Sequence, residues 1–157
     1  MGFLVTAASR FELAAGEYAC AQAWAALTAA HARVSGLLAD ALAGQCGLTI
    51  NEFEILLRLD HAGDAGVRLS ELLTAVPVSQ PALSRAVGRM CARGWAGREA
   101  APEDGRGVLV VPTPSGQVLL RAAIPVHART VRAALLEPLT GPEQELLASV
   151  LRRVAAG

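Results

Sequence analysis

The segment from Leu69 to Thr113 constrains this chain most, because prolines and glycines divide it into two helical patterns followed by two strand patterns. In the first pattern, the apolar residues that share one helix face are Leu69, Leu72, Leu73 and Val76. Ser70 is predicted as the N-cap, with Glu71 in the first turn favoured by the helix dipole. Pro77 ends this helix, because proline lacks an N–H and disfavours the α conformation of the residue before it.

A second helix is predicted from about Gln80 to Arg93, with Ser79 as its N-cap and Pro81 tolerated in its first turn. Its buried stripe consists of Leu83, Val87 and Met90. Gly94 is placed to end the helix as the C′ residue. A helix, a short turn and a second helix together predict a helix-turn-helix.

The face opposite the buried stripe combines small residues with two arginines one turn apart, and it carries Pro81, Ala82, Arg85, Gly88 and Arg89. Gln80 and Ser84 flank this face and can donate hydrogen bonds. Small residues allow close approach to a groove, and arginine can bind guanine edges or phosphates. The alternative is an ordinary amphipathic helix with solvated arginines. That alternative has weight because all fourteen basic residues are arginine.

Two strands are predicted after Gly94, at Trp95–Glu99 and Val108–Val111. The turn between them is marked by Pro102, Gly105 and Gly107. At its tip Asp104 can brace Arg106, and an extended arginine suits insertion into a narrow minor groove. The alternative is a local exposed ion pair, which contributes little to stability. Helix, turn, helix and hairpin together predict a winged helix-turn-helix that reads DNA.

These residues resemble the DNA-binding lobe of the MarR family of bacterial transcriptional regulators. The resemblance rests on Leu69–Leu72, Val78–Arg85, Arg93-Gly94, Pro102–Asp104, Arg106 and Thr113–Gly116. It implies that the second helix enters the major groove and that the wing arginine reaches the minor groove or the backbone. It assigns DNA binding to Ser79, Gln80, Pro81, Ala82, Ser84, Arg85, Arg89, Asp104 and Arg106.

Four positions depart from the family pattern. Pro77 stands where a turn glycine is usual, and Pro112 where an aliphatic strand residue is usual. Gly97 and Gly105 stand where arginines are common. The two missing arginines suggest weaker affinity for the DNA backbone or a more flexible wing.

The whole chain, residues 1–157, is predicted to be a single, mostly α domain with a small β-wing. The DNA-binding part covers about residues 48–113, and long helices cover about 9–43 and 114–155. These helices exceed the needs of a winged helix, and burying their apolar faces against a symmetry mate is the simplest solution. The resemblance likewise implies a homodimer on a pseudo-palindromic operator, with half-sites about one helical turn of DNA apart.

Local patterns also predict where the flanking elements begin and end. Capping boxes that start helices are predicted at Ser9 and Glu12, at Thr49 and Glu52, and at Thr140 and Glu143. Gly44 and Gly47 are predicted to break the first long helix, and Val67–Leu69 is predicted as a short strand beside the wing. Thr113 is predicted to cap a helix that has Pro114 at its first position and reaches about Leu136.

The net charge is zero, but the charge is unevenly distributed. Residues 1–67 contain three arginines and seven acidic residues, whereas residues 68–98 contain five arginines and one glutamate. The excess positive charge therefore lies on the predicted DNA-reading segment. Binding is expected to depend on salt, because phosphate contacts release counterions.

Three cysteines, Cys20, Cys46 and Cys91, form no C-x-x-C pair, which argues against a disulfide framework and a zinc finger. No uncharged apolar run reaches the roughly 18 residues that indicate a transmembrane helix. We therefore expect a cytoplasmic protein without membrane contact, metal or cofactor.

The resemblance also implies release from DNA by a small aromatic or phenolic ligand, or by cysteine oxidation. Trp24 can stack on such a ligand, and His31 can hydrogen-bond its carboxylate or phenol. The alternative is that both residues pack in the core or a dimer interface. Cys20 is a possible redox sensor, although a cysteine without a neighbouring base is usually inert.

No catalytic motif stands out, and the three histidines, His31, His61 and His127, are dispersed, so an enzyme is not expected. Two hypotheses remain. The first is a dimeric, ligand-responsive transcriptional repressor. The second is a winged-helix module that binds protein rather than DNA, with its arginine face on an acidic partner.

Overall fold

The computed structural model describes residues 15–100 and 107–156, which are mostly helical with a small sheet, as predicted. The helices are α1 (Ala15–Cys46), α2 (Ile50–Ala62), α3 (Leu69–Ala75), α4 (Gln80–Ala92), α5 (Pro114–Val131) and α6 (Gly141–Ala156). The strands are β1 (Val67–Arg68), β2 (Ala96–Ala100) and β3 (Val108–Pro112). A 3₁₀ turn covers Gly63–Ala65, and a π-helical turn covers Arg132–Leu136.

The chain divides into two compact units between Leu37 and Leu38. The described part of the first unit, residues 15–37, is helical and mostly exposed in the single chain. The second unit contains the sheet and the remaining helices. The capping box predicted at Ser9 and Glu12 lies outside the described residues.

Helix α1 ends later than the sequence predicted. The helix was predicted to reach about residue 43 and to be broken by Gly44 and Gly47, but it continues past Gly44 to Cys46 and ends at Gly47, which has a φ of 66°. The amide of Leu48 then donates to the carbonyl of Leu42 at 3.2 Å. Helix α1 therefore ends where the backbone becomes left-handed at Gly47, a conformation that glycine tolerates, and Gly44 remains inside the helix.

Helix α2 begins with a capping box, which confirms the prediction for Thr49 and Glu52. The Thr49 hydroxyl oxygen accepts from the Glu52 amide at 3.2 Å, and Glu52 Oε2 accepts from the Thr49 amide at 3.0 Å. Phe53 and Leu56 lie in the core, and Leu57 is half-buried against it.

The N-cap predicted for α3 is wrong. The helix begins at Leu69, and the capping position belongs to Arg68 rather than Ser70. Arg68 is extended because it pairs with Leu109 in the sheet, and its amide donates to Glu71 Oε2 at 3.3 Å. Strand pairing therefore starts the helix two residues earlier than the local pattern indicates.

The turn between α3 and α4 follows the sequence more closely. Ser79 occupies the N-cap position of α4 with extended backbone, although its side chain makes no capping hydrogen bond. The helix ends at Ala92, and Gly94 follows with a φ of 71°, as its predicted role requires.

The sheet has the order β1-β3-β2, and both pairs are antiparallel. Val67 pairs with Val110, which in turn lies opposite Arg98. The wing is thus a β2–β3 hairpin, and the short strand before α3 pairs with the outer side of β3 as a third strand. The strand predicted beside the wing is confirmed, although Leu69 belongs to α3.

The core of the second unit joins α2, α3, α4, β3 and α5. Its fully buried large side chains include Leu42, Leu48, Phe53, Ile55, Leu59, Leu72, Leu83, Met90 and Leu120. The predicted stripe of α4 is confirmed, because Leu83, Val87 and Met90 are all buried. Helix α5 starts at the predicted cap Thr113 and contains Pro125, and its α-helical part ends at Val131 rather than Leu136.

Candidate nucleic-acid interface

The predicted reading face of α4 points away from the core. Ser79, Gln80, Pro81, Ser84 and Arg85 are exposed, whereas Ala82 and Gly88 are half-buried. The opposite side of the helix packs into the core through Leu83, Ala86, Val87 and Met90. Because the opposite side is buried, the candidate residues share one accessible helix face. The side chains of Pro81 and Ala82 at its N-terminal end are small.

Arg85 is the exposed cation at the middle of this face. Its guanidinium forms no hydrogen bond or ion pair with any other residue among 15–100 and 107–156. Its five N–H donors are therefore not engaged within that part of the chain, and they can meet a phosphate or a guanine edge.

Arg89, one turn further along α4, is engaged differently. Its Nε and Nη2 atoms both lie 3.0 Å from Oε1 of Glu52 on α2. The Arg89 side chain is 49% exposed, whereas Glu52 is 1% exposed. The two arginines that the sequence grouped together therefore have different surroundings.

Arg98 is a basic residue at this surface that the sequence reasoning missed. It lies on β2 and is exposed, and its Nη2 atom donates to the carbonyl of Ser84 at 3.3 Å. This contact brings a third guanidinium next to the reading face, in addition to those of Arg85 and Arg89. The sequence signal for Arg98 was its positive charge. The turn at Gly94 brings β2 close to α4, and this proximity is evident from the structure alone.

The base of the wing is tied to the end of α4. The carbonyl of Gly94 accepts hydrogen bonds from the hydroxyls of Thr113 at 2.8 Å and Ser115 at 2.5 Å. Thr113 also caps α5 by accepting from the amide of Gly116 at 3.0 Å. These contacts fix the point where the second wing strand leads into α5. The predicted tip residues, Asp104 and Arg106, lie outside the described residues.

The candidate ligand residues Trp24 and His31 lie in the first unit. Trp24 is 63% exposed, and His31 is also exposed, with Nε2 lying 3.4 Å from the Ser35 hydroxyl. Cys20 is exposed as well. In the single chain, none of the three side chains belongs to a packed core.

Residues 15–100 and 107–156 contain neither a candidate metal site nor a helix that could span a membrane. No group of three or more histidines, cysteines or acidic residues in those ranges could hold a metal ion. No helix within them is long and apolar enough to cross a membrane.

Comparison with known proteins identifies the family. A family model described as MarR family matches residues 47–107. Transcriptional regulator HosA of Escherichia coli is 33% identical over 93 residues, which are 59% of this chain and 68% of HosA. This chain belongs to the MarR family. The multiple antibiotic resistance protein MarR of Salmonella typhimurium is 29% identical over 107 residues, 68% of this chain and 73% of that protein.

A solved MarR-family structure extends the similarity over most of the chain. Sco3205, a MarR-family transcriptional regulator from Streptomyces coelicolor whose crystal structure contains DNA, matches with a TM-score of 0.80 and 29% identity. The match covers 91% of this chain and 88% of Sco3205. The predicted family and fold class are confirmed, and the chain is a transcriptional regulator of a family that is not a family of enzymes.

Proposed function

We propose that this MarR-family regulator is a homodimeric repressor that binds a pseudo-palindromic operator in double-stranded DNA. The observation that carries the proposal is the exposed face of α4, with small residues at its start and Arg85 at its centre. In this arrangement the helix enters the major groove, where its small N-terminal residues permit close approach. The presence of DNA in the Sco3205 structure supports DNA binding by this chain as well.

Each part of the interface has a separate role in this proposal. Pro81 and Ala82 offer apolar contact to thymine methyl groups, while Gln80 and Ser84 offer hydrogen bonds to base edges or phosphates. Arg85 supplies a bidentate contact, and Ser79 lies at the helix N-terminus, which favours phosphate. The wing residues Asp104 and Arg106 extend the contact into the adjacent minor groove.

The exposed apolar side chains of the last helices support a homodimer. Leu146 and Val154 on α6 are 63% and 68% exposed, and α6 has no buried residue in the single chain. On α5, Val118 and Ile124 are 60% and 45% exposed. An amphipathic helix with an exposed apolar side is typical of a subunit interface. A twofold dimer presents one copy of α4 to each half-site of the operator.

The proposal also includes release of the repressor by a small aromatic or phenolic ligand in the cytoplasm. Trp24 supplies a stacking surface, and His31 supplies a hydrogen bond. Both side chains are exposed in the single chain, as a ligand contact requires before binding. Residues 1–157 act in this proposal as one functional domain.

Arg85→Ala tests DNA binding directly, by fluorescence anisotropy of the full chain on a duplex that the wild-type protein selects from a random pool. We expect the loss of a bidentate contact to weaken binding by about 1–3 kcal/mol. Arg58→Ala is the matched control, because it removes an exposed arginine from α2, outside the proposed interface. The control variant is expected to bind nearly as tightly as the wild type.

Equal dissociation constants for Arg85→Ala and the wild type would contradict the assignment of Arg85. If a folded wild-type dimer selects no sequence from the pool, the DNA-binding proposal fails, and the winged-helix module that binds protein becomes the better hypothesis. Addition of aromatic acids to the bound complex tests ligand release in the same assay.

A further inference from the structure

Glu52 is a carboxylate with an unusual position for a charged group, because it is 1% exposed at the first turn of α2. Its Oε2 atom accepts the Thr49 amide at 3.0 Å, and its Oε1 atom accepts both Nε and Nη2 of Arg89 at 3.0 Å. A buried carboxylate is costly unless it is paired and hydrogen-bonded. Glu52 therefore needs Arg89 as its charged partner, whether or not Arg89 contacts other groups.

The pair joins two elements that are far apart in sequence. Glu52 and Arg89 are separated by 37 positions, and the contact links the start of α2 to the last turns of α4. Two donors on one acceptor restrict the rotation of the guanidinium, and hence the rotation of α4 about its own axis. The buried apolar stripe of α4 already selects the outward face, and this contact further limits the rotation of the helix about its axis.

The start of α2 is itself held in place. Phe53, the residue after Glu52, is 2% exposed and stacks on His127 of α5, with ring centroids 4.9 Å apart and an interplanar angle of 17°. A neighbouring core contact therefore anchors the helix turn that carries Glu52. This makes α2 a rigid reference against which Arg89 can orient α4.

We propose that Arg89 is a positioning residue that acts through Glu52 to orient the DNA-reading face, rather than a direct contact to DNA. This inference rests on the proposed function. It separates the two arginines of α4. Arg85 contacts the DNA. Arg89 instead donates from Nε and Nη2 to Glu52, and this contact sets the orientation in which α4 presents Arg85 to the DNA. Because the effect is on orientation, it is larger for a selected sequence than for arbitrary DNA.

The experiment measures anisotropy of the full chain on the selected duplex and on a scrambled duplex, across a salt series. The variants are Arg89→Met, which keeps much of the apolar stem, Glu52→Gln, which can still accept from the Thr49 amide, and the double variant. Arg85→Ala is the comparison for a direct DNA contact, and a salt slope lowered by about one is the sign of a lost phosphate contact in any variant. Circular dichroism and thermal unfolding establish that each variant is folded.

We expect Arg89→Met and Glu52→Gln each to reduce the ratio of selected to scrambled affinity by about tenfold, an effect on specificity with an unchanged salt slope. The double variant is expected to lose no more than the more affected single variant, because both substitutions break one interaction. The double variant leaves no unpaired buried charge, so it carries the test if either single variant fails to fold.

Three results would overturn the positioning role. One is a salt slope lowered by about one in Arg89→Met, which indicates a direct phosphate contact. The others are unchanged or tighter selective binding by Glu52→Gln, and additive losses in the double variant. If the wild-type protein itself selects no sequence, the proposed function fails and this inference fails with it. Selection by the wild type with any of these three results refutes the positioning role alone.

Discussion

At the scale of single residues, two glycines in similar local contexts have different importance. Gly116 lies in the first turn of α5, and a Cβ atom there would overlap the backbone carbonyl of Trp95. Gly88 lies within α4, where a Cβ atom meets nothing within 4 Å. The requirement for glycine at position 116 comes from the close approach of another segment, since its φ is not positive.

Gly116→Ala is therefore expected to lower the free energy of unfolding by about 1–3 kcal/mol, because the backbone of Trp95 must move to admit the methyl group. Gly88→Ala is the control, and it is expected to raise stability by roughly 0.5–1 kcal/mol as a helix-interior replacement. Urea unfolding at one fixed protein concentration measures both. Similar values for the two variants would contradict the proposed overlap.

At the scale of elements, α2, α3 and α6 each begin with a glutamate that accepts a backbone amide, and they do so in three different arrangements. At α2, threonine and glutamate cap each other, whereas at α3 the glutamate meets a strand residue. At α6, the Thr140 hydroxyl donates to Glu143 Oε2 at 2.6 Å, and the Thr140 amide donates to the same atom at 2.8 Å. The capping box predicted at Thr140 therefore includes the hydrogen bond from the Thr140 amide to the Glu143 carboxylate. The Thr140 hydroxyl donates to the same carboxylate.

Hydrogen bonds from the hydroxyl and then the amide of Thr140 lower the pKa of Glu143 below its ordinary value of 4.5. A folded-state pKa below the unfolded one means that this carboxylate stabilises the fold fully above about pH 4.5 and loses its effect as the pH falls through the folded-state pKa. We expect Glu143→Gln to melt at a lower temperature than the wild type at neutral pH. The difference should shrink in acid, and thermal unfolding across a pH series measures it.

Persistence of the full melting difference well below pH 4.5 would show that the effect does not come from the charge of Glu143. Thr140→Val provides a further check, because it removes the hydroxyl that contributes most to the shift. In that background the pH dependence assigned to Glu143 should be weaker.

At the scale of the whole molecule, the apolar side of α6 is only partly covered by the described residues of the single chain. Leu146 is 63% exposed, and Ala148 lies about 200° around the same helix. A homodimer explains the exposed leucine, because association buries apolar surface that folding of one chain leaves in water.

Leu146→Asp is expected to weaken dimer formation by at least about tenfold, because it places an unpaired charge in an apolar interface twice per dimer. Ala148→Asp is the control on the opposite side of α6, and it is expected to remain dimeric. Light scattering across a dilution series measures the mass of each variant. A monomeric wild type, or equal dissociation of both variants, would contradict the proposed interface.

The sequence alone determined the features whose causes lie within a few residues along the chain. Pro77 separates α3 from α4, Gly94 ends α4, and the Thr49 box starts α2, because each depends on the backbone freedom or hydrogen-bonding capacity of neighbouring residues. The buried stripe of α4 was equally predictable, since helical periodicity alone places Leu83, Val87 and Met90 on one face. The DNA contacts, including Asp104 and Arg106, remain predictions.

The tertiary structure decided what depends on residues distant in sequence. It starts α3 at Leu69, because Arg68 pairs with Leu109 across the sheet. It brings Arg98 to the Ser84 carbonyl on α4. It also gives Arg89 a buried partner in Glu52, whereas Arg85 remains exposed. Periodicity assigns both arginines to one helix face, but the chemistry of each depends on which other element packs beside it, and local sequence does not encode that packing.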